Sequence, residues 1–215
     1  VAILTGDYLF SKASDLLADL GPEAVKLQAK TFERLVIGQI QETQGPKEGT
    51  DPLAHYLKVV ADKTGSLIAT SARFGAMLSS TDEKYLEILT LFGEKIGIAF
   101  QLADDVIDIA SESTQSGKMP GADLREGVPT LVTLQILRSN EPSDRELKEL
   151  LSRPLSEADA TKVLTILRSH EALKSAREQL HQYAHEAKKL LTPLPSIPAK
   201  QALENLCEAI LKYQD

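Results

Sequence analysis

Apolar residues recur three or four positions apart along almost the whole chain, which is the period of an amphipathic α-helix. No segment shows the alternation of apolar and polar residues that marks a half-buried strand. Clusters of glycine, proline and polar residues interrupt the pattern at 21–22, 44–51, 111–129 and 192–198. The sequence therefore predicts an all-α fold, and its uniform composition predicts one domain over residues 1–215.

Caps and breakers set the expected ends of the helices. Asp51 followed by Pro52 predicts an N-cap and a first helical residue, and Ser143 with Glu146 predicts a capping box. The residues Lys63-Thr64-Gly65 stand where the third helix should stop or kink. The predicted helices are 2–20, 22–41, 52–61, 66–77, 82–110, 130–139, 143–152, 156–169, 172–191 and 199–213.

Two helices carry more specific expectations. The second should turn its large apolar residues inward, namely Phe32, Leu35, Val36 and Ile40. The helix over 82–110 is apolar nearly all round in its second half, as expected of a central helix surrounded by others. Its Gly93 and Gly97 are four positions apart, which favours a close approach of another helix. Asp7, next to Gly6 near the start of the chain, is interpreted as a cap or a site residue.

Three carboxylates interrupt the apolar half of the central helix. Asp104 and Asp108 share one face a turn apart, and Asp105 lies beside them. Like charges near a helix C-terminus oppose the macrodipole and repel one another. Two explanations stay open on spacing alone, a solvated acidic face and a site for a hard cation such as Mg²⁺. A calcium EF-hand loop is excluded, since its alternating acidic residues, central glycine and distal glutamate are missing.

Charge and cysteine content narrow the function classes. The net charge of −7 argues against a nucleic-acid-binding protein, which would carry a basic stripe. The single Cys207 excludes an intramolecular disulfide and fits a reducing compartment, so we expect a cytoplasmic protein. His181 and His185 have the spacing of a zinc pair but lack the rest of such a motif, and like His170 they are interpreted as surface residues.

Four short motifs occur in an order and spacing that resemble the trans-type polyprenyl diphosphate synthases. They are Gly38-Gln39, Lys63-Thr64, Phe100-Gln101-x-x-Asp104-Asp105-x-x-Asp108, and Gly117-Lys118-x-x-Gly121-x-Asp123-Leu124. The likeness covers essentially the whole chain. It implies a helical bundle around a central cavity, in which two aspartate-rich motifs hold Mg²⁺ against an allylic diphosphate.

The resemblance also implies roles for individual residues. Asp104, Asp105 and Asp108 would be the second aspartate-rich motif and would bind Mg²⁺. Lys63 and Lys118 would contact the allylic diphosphate as point charges. Thr64 and Gln101 would line the reacting carbons, and Gln39 and Asp7 match positions near the cavity wall. The implied reaction joins the allylic diphosphate to isopentenyl diphosphate and releases a proton, giving a longer polyprenyl diphosphate.

The chain departs from the family pattern in two places. Val128 stands where members often have a third basic residue. The first aspartate-rich motif does not occur in the chain and should precede Val1, so we expect the chain to be the C-terminal two-thirds of a synthase, inactive by itself. Two other functions stay open: a non-catalytic helical subunit of a heteromeric synthase, and a terpene cyclase on the same fold. As in the family, a homodimer is expected, with at most peripheral membrane contact through the lipid product.

Overall fold

A computed structural model describes residues 1–79, 81–111 and 120–212, and every regular element within them is helical. The predicted Lys118 lies outside the described residues. The α-helices are α1 Ala2–Ala18, α2 Pro22–Gln44, α3 Pro52–Val60, α4 Ser66–Leu78, α5 Glu83–Ala110, α6 Ala122–Glu126, α7 Leu131–Arg138, α8 Arg145–Leu151, α9 Glu157–Leu167, α10 Glu171–Leu190 and α11 Pro198–Lys212. The segment Ala61–Gly65 is a π-helix and Pro142–Asp144 is a 3₁₀-helix.

Helix α5 is the centre of the bundle. It packs against α4 and α10 along most of its length and also contacts α3, α7 and α11. Its second half is buried on nearly every side, with Ala99, Leu102 and Val106 fully inaccessible to solvent. This confirms the sequence prediction of a central, surrounded helix.

Glycines let α4 approach α5 closely. A Cβ at Gly93 would lie 2.7 Å from the Cα of Ala69, and a Cβ at Gly97 would lie 2.8 Å from the Cα of Gly65. Real side chains do not reach such distances, so neither position has room for a methyl group. The close approach predicted from the glycine spacing is confirmed.

The chain does not stop between α3 and α4. Residues 61–65 form one π-helical turn, in which the N–H of Ser66 donates to the carbonyl of Ala61, five residues earlier. One extra residue in a turn rotates the following helix relative to the preceding one. Of the two predicted alternatives, a stop is wrong, because the chain continues through a π-turn, which is a usual cause of the other alternative, a kink.

The predicted inward face of α2 is wrong for Phe32, Val36 and Ile40, which are 44%, 39% and 49% exposed. Leu35 is half-buried, and the buried residues of α2 are Ala24 and Gly38. Gly38 lets α2 approach the π-turn closely, and Phe32 contacts Phe10 of α1 with ring centroids 4.3 Å apart. Helix α1 has no buried residue, and Asp7 lies inside it and not at its start, so capping by Asp7 is wrong.

Most predicted helix starts agree with the structure. The carboxylate of Asp51 accepts the N–H of Leu53, which confirms the cap of α3. The capping box at Ser143 and Glu146 is wrong, because a 3₁₀ turn runs directly into α8 and the hydroxyl of Ser143 donates to Asp144 instead. The buried Asp144 also bonds to Nε2 of His170 at 3.0 Å, and His170 caps α10 with its other ring nitrogen.

No helix in the described part of the chain is long and apolar enough to cross a membrane.

We expect Gly93→Ala to lower the free energy of unfolding by about 1–3 kcal/mol, since the new methyl group meets backbone that cannot move without separating α4 from α5. Gly75→Ala on α4 is the matched control, because nothing lies within 4 Å of its Cβ position. Helix propensity should make that control more stable by about 0.5–1 kcal/mol. Urea unfolding of both variants measures the difference, and equal stability of Gly93→Ala and wild type would contradict the packing argument.

Candidate functional site

A cavity of about 570 Å³ opens beside the C-terminal half of α5. Its walls come from the end of α2, from α3 and the π-turn, and from α5, α6 and α7. The polar lining includes Lys63, Thr64, Gln101 and Asp105, all of which the sequence singled out. The rest of the lining is largely apolar and includes Val59, Val60, Val128, Pro129, Leu134 and Leu137.

A chain of hydrogen bonds crosses the cavity wall from the π-turn to α3. The hydroxyl of Thr64 donates to Oε1 of Gln101 at 3.0 Å, and Nε2 of Gln101 donates to Oδ1 of Asp105 at 3.2 Å. The hydroxyl of Tyr56 donates to Oδ2 of Asp105 at 2.5 Å. Both oxygens of this buried carboxylate therefore have a donor, and the rotamer of Asp105 is held from two helices.

Burial raises the pKa of Asp105 to about 7, and the donors Tyr56 and Gln101 only partly oppose this. The nearby Asp123 adds a second negative charge that raises the same pKa. Burial and Asp105 together hold the pKa of Tyr56 well above its usual value. The site therefore concentrates negative charge in a poorly solvated place, which a cation would relieve.

The other two aspartates of the motif do not line the cavity. Asp108 accepts the backbone N–H groups of Ala122 and Asp123 at 3.0 and 3.2 Å, and its carbonyl accepts the N–H of Gly121 at 2.7 Å. Gly121 has a φ of +74°, which suits glycine and turns the chain into α6. Burial raises the pKa of Asp108, and these N–H groups oppose it. Asp104 is half-buried on the same helix.

Lys63 meets an acidic partner at the cavity. Its Nζ lies 2.6 Å from Oε2 of Glu42, near the end of α2. Gln39 donates to the same oxygen at 2.9 Å, so this exposed residue reaches the cavity only through Glu42. Lys63 is thus held in place by a carboxylate that an anionic ligand would have to replace or share.

Comparison with known proteins identifies the family. The family model described as polyprenyl synthetase matches residues 1–167. The chain belongs to the polyprenyl synthetase family. It is 47% identical to a nonaprenyl diphosphate synthase of Mycobacterium tuberculosis over 97% of this chain and 62% of that protein. It is 32% identical to heptaprenyl diphosphate synthase component 2 of Geobacillus stearothermophilus over 95% of this chain and 64% of that protein.

Solved structures agree with the fold. The chain superposes with a TM-score of 0.90 on geranylgeranyl pyrophosphate synthase from Corynebacterium glutamicum, solved in complex with calcium and isoprenyl diphosphate. The two are 40% identical, and the match covers 98% of this chain and 66% of that structure. The all-α isoprenoid-synthase fold predicted from the motifs is confirmed. The chain spans just under two thirds of the length of these relatives.

For this polyprenyl synthetase chain, the structure brings some predicted site residues together and leaves others apart. Lys63, Thr64, Gln101 and Asp105 share the cavity, whereas Gln39, Asp104, Asp108 and Asp7 do not line it. Their roles remain predictions. Within 1–79, 81–111 and 120–212, no three acidic, histidine or cysteine side chains form a group that could hold a metal ion.

The donor types nevertheless fit Mg²⁺, which prefers carboxylate oxygens and takes one or two of them together with water and phosphate. Asp104, Asp105 and Asp108 offer such oxygens on consecutive turns of α5. The charge concentrated at Asp105 and Asp123 is a second observation in favour of a cation. The structure is therefore compatible with a metal shared between the protein and a diphosphate, and not with a complete protein cage.

Sequence reasoning missed two residues of the site. Tyr56 is not among the predicted site residues, yet its hydroxyl holds Asp105 across 49 positions of sequence. Glu42 is not among them either, yet it pairs with Lys63. Helical spacing places Glu42 one turn after Gln39, which indicates that it lies near the predicted site, but it does not show the partner of Glu42 or of Tyr56.

The raised pKa of Asp105 predicts a specific pH dependence in metal-free buffer. The folded protein binds this proton more tightly than the unfolded chain, whose carboxyl has a pKa near 3.8. Stability from this group is therefore complete below pH about 3.8 and falls as the pH rises to about 7. Asp105→Asn should lack that decline when free energies of unfolding are measured between pH 4 and 8 in EDTA.

Tyr56→Phe should raise the pKa of Asp105 further, because it removes a donor that favours the charged carboxylate. Carboxyl NMR titration measures the midpoint directly. Tyr85→Phe is the control, since Tyr85 lies in the first turn of α5, far along the helix from Asp105. A lower midpoint in Tyr56→Phe would contradict the assigned hydrogen bond.

Proposed function

We propose that the protein containing this chain is a prenyltransferase of isoprenoid biosynthesis, which condenses an allylic diphosphate with isopentenyl diphosphate to give a longer polyprenyl diphosphate. The observation that carries the proposal is the meeting of Lys63, Thr64, Gln101 and Asp105 at one cavity whose remaining lining is largely apolar. Family membership supports it, as do relatives named for nonaprenyl and geranylgeranyl diphosphate synthesis.

In this proposal Lys63 binds the diphosphate of the allylic substrate through its ammonium group. The diphosphate replaces Oε2 of Glu42 as the partner of Lys63; this oxygen also accepts a hydrogen bond from Gln39. Lys118 would supply a second ammonium group. Thr64 and Gln101 hold each other at 3.0 Å, so they form a fixed polar edge beside the reacting carbons. The apolar wall excludes water, which protects an allylic cation from hydrolysis.

We propose Mg²⁺ as the cofactor, held by Asp104, Asp105 and Asp108. When bound, the ion would neutralise the diphosphate and so make it a better leaving group. Tyr56 and Gln101 orient Asp105 from two sides, and the backbone of α6 orients Asp108. Calcium in the related Corynebacterium glutamicum structure supports a divalent-cation site in this family.

Two alternatives keep specific support. The relative named heptaprenyl diphosphate synthase component 2 suggests a heteromeric synthase, in which this chain would be one of two components. The cavity lining argues against a purely non-catalytic component, because a scaffold has no need to bring Lys63, Thr64, Gln101 and Asp105 together at one cavity. A terpene cyclase is the weaker alternative, since Lys63-Thr64 and Gly117-Lys118 match the elongating enzymes. We also propose a homodimer in the cytoplasm.

The test is condensation of farnesyl diphosphate with isopentenyl diphosphate by the full-length protein, purified alone and supplied with Mg²⁺. Lys63→Ala and Asp104→Ala should each lower kcat/KM by about 10²–10³-fold. The first removes the cation that binds the leaving diphosphate, and the second removes a carboxylate that holds the Mg²⁺. Lys188→Ala is the control, because this exposed residue of α10 pairs with Glu208 far from the cavity.

Unchanged turnover in both site variants would contradict the assignment of the site. Turnover that requires a second purified protein would favour the heteromeric alternative, and release of a cyclic hydrocarbon without isopentenyl diphosphate would favour the cyclase.

A further inference from the structure

Three charged residues from three elements meet at the π-turn. Nε of Arg34 on α2 donates to Oδ1 of Asp62 at 2.6 Å. The two terminal nitrogens of Arg34 donate to the two oxygens of Glu94 on α5 at 3.0 and 2.8 Å. Asp62 belongs to the π-turn itself. These three residues, which we call the clamp, tie α2 and α5 to the turn that carries Lys63 and Thr64.

Asp62 is the buried member of the clamp, with 8% of its side chain exposed. Burial raises its pKa, but hydrogen bonds from Lys58 and Arg34 outweigh burial and leave the pKa below its ordinary value. Lys58 contacts Oδ2 at 2.5 Å, so each oxygen of Asp62 has a cationic partner. A buried carboxylate paired in this way is costly to displace, because movement would leave the charge without its partners.

The clamp and the cavity lie on different sides of the same turn. Lys63 and Thr64 line the cavity, whereas Arg34, Asp62 and Glu94 do not. The π-turn interrupts the regular helix at residues 61–65, and within it Asp62 directly precedes Lys63 and Thr64. Holding Asp62 therefore sets the direction of the two residues that follow it.

Packing leaves the turn little freedom on the α2 side. A Cβ at Gly38 would lie 2.9 Å from the Cβ of Asp62 and 3.1 Å from Cγ of Lys63. The hydroxyl of Ser66 also donates to the carbonyl of Asp62 at 2.6 Å. Since α2 touches the side-chain stems of both Asp62 and Lys63, a shift of α2 would move the ammonium group of Lys63.

We propose that Arg34 is a positioning residue for diphosphate binding, which acts through the clamp and the π-turn on the location of the Lys63 ammonium group. Arg34 itself does not touch the ligand. The proposal rests on the proposed function in one respect, the contact between Lys63 and a diphosphate. Its structural part, control of the turn by Arg34, is independent of any ligand.

The first experiment measures amide hydrogen exchange in the ligand-free, full-length protein. Arg34→Gln should increase exchange at residues 63–66 by about tenfold, because Asp62 keeps only Lys58 of its two cationic partners and the turn loses its link to α2 and, through Glu94, to α5. Arg73→Gln is the matched control. Arg73 is 35% exposed, against 36% for Arg34, and it also links a neighbouring helix to α5, through Thr90 and Glu87, without contacting the turn.

The second experiment measures binding of inorganic pyrophosphate in the presence of Mg²⁺ by calorimetry. Lys63→Ala should weaken binding about 10–100-fold, as expected for loss of a charge-assisted hydrogen bond. Arg34→Gln should weaken it about three- to tenfold, and adding Arg34→Gln to Lys63→Ala should cause little further loss, because one acts through the other. Arg34→Lys should lie between wild type and Arg34→Gln, since lysine keeps the charge but not the planar fork.

The two experiments test separately whether Arg34 controls the π-turn and whether Arg34 affects diphosphate binding. Unchanged exchange at 63–66 in Arg34→Gln overturns control of the turn. Faster exchange with unchanged pyrophosphate affinity, or additive losses in the double variant, overturns the positioning role. Unchanged affinity in Lys63→Ala overturns the proposed function of Lys63, and exchange then still decides the structural part. If Arg34→Gln does not fold, Arg34→Lys carries both measurements, with smaller expected changes in the same direction.

Discussion

The burial of a helix that carries carboxylates is the constraint on which this structure depends. The second half of α5 is enclosed by α4, α7 and α10, and Asp105 is buried with it. A buried carboxylate needs donors, and the chain supplies them from separate elements: Tyr56 on α3, Gln101 one turn earlier on α5, and Thr64 behind Gln101. The cavity lies where these elements converge, because the groups that satisfy Asp105 also form its polar wall.

The position of the π-turn is limited by its close packing against α5. Gly65 contacts Gly97 too closely for any side chain, so the turn lies directly against α5. An ordinary α-helical turn at residues 61–65 would leave α4 in the same helical register as α3. The extra residue lets Asp62 bond to Arg34 while Lys63 and Thr64 line the cavity. One irregular turn thus packs against α5 and carries Lys63 and Thr64 at the cavity, and Arg34 bonds both to this turn and to Glu94 on α5.

The three aspartates of one motif have different surroundings. Asp105 is fixed by side chains of the core, and Asp108 is fixed by the backbone of α6, so each is oriented by a different part of the fold. Ligation of Mg²⁺ by one or two of them with a diphosphate suits this arrangement better than a closed cage. Their different surroundings also account for their unequal burial, since Asp105 is buried whereas Asp104 and Asp108 are half-buried.

Helical periodicity and the cap at Asp51 were determined by the sequence alone, because each depends on neighbours within one or two turns. The glycine spacing on α5 indicated a close approach of another helix, but only the structure shows that α4 and the π-turn are what it meets. The motifs were enough to indicate the family, and with it the grouping of Lys63, Thr64 and Gln101. Only the tertiary structure decided the pairing of Tyr56 with Asp105, of Glu42 with Lys63 and of Arg34 with Asp62 and Glu94. These partners are 21–60 positions apart, and local periodicity contains no information on which helices meet. The exposed apolar face of α2 shows the same limit, since periodicity identifies an apolar face but not what the fold places against it.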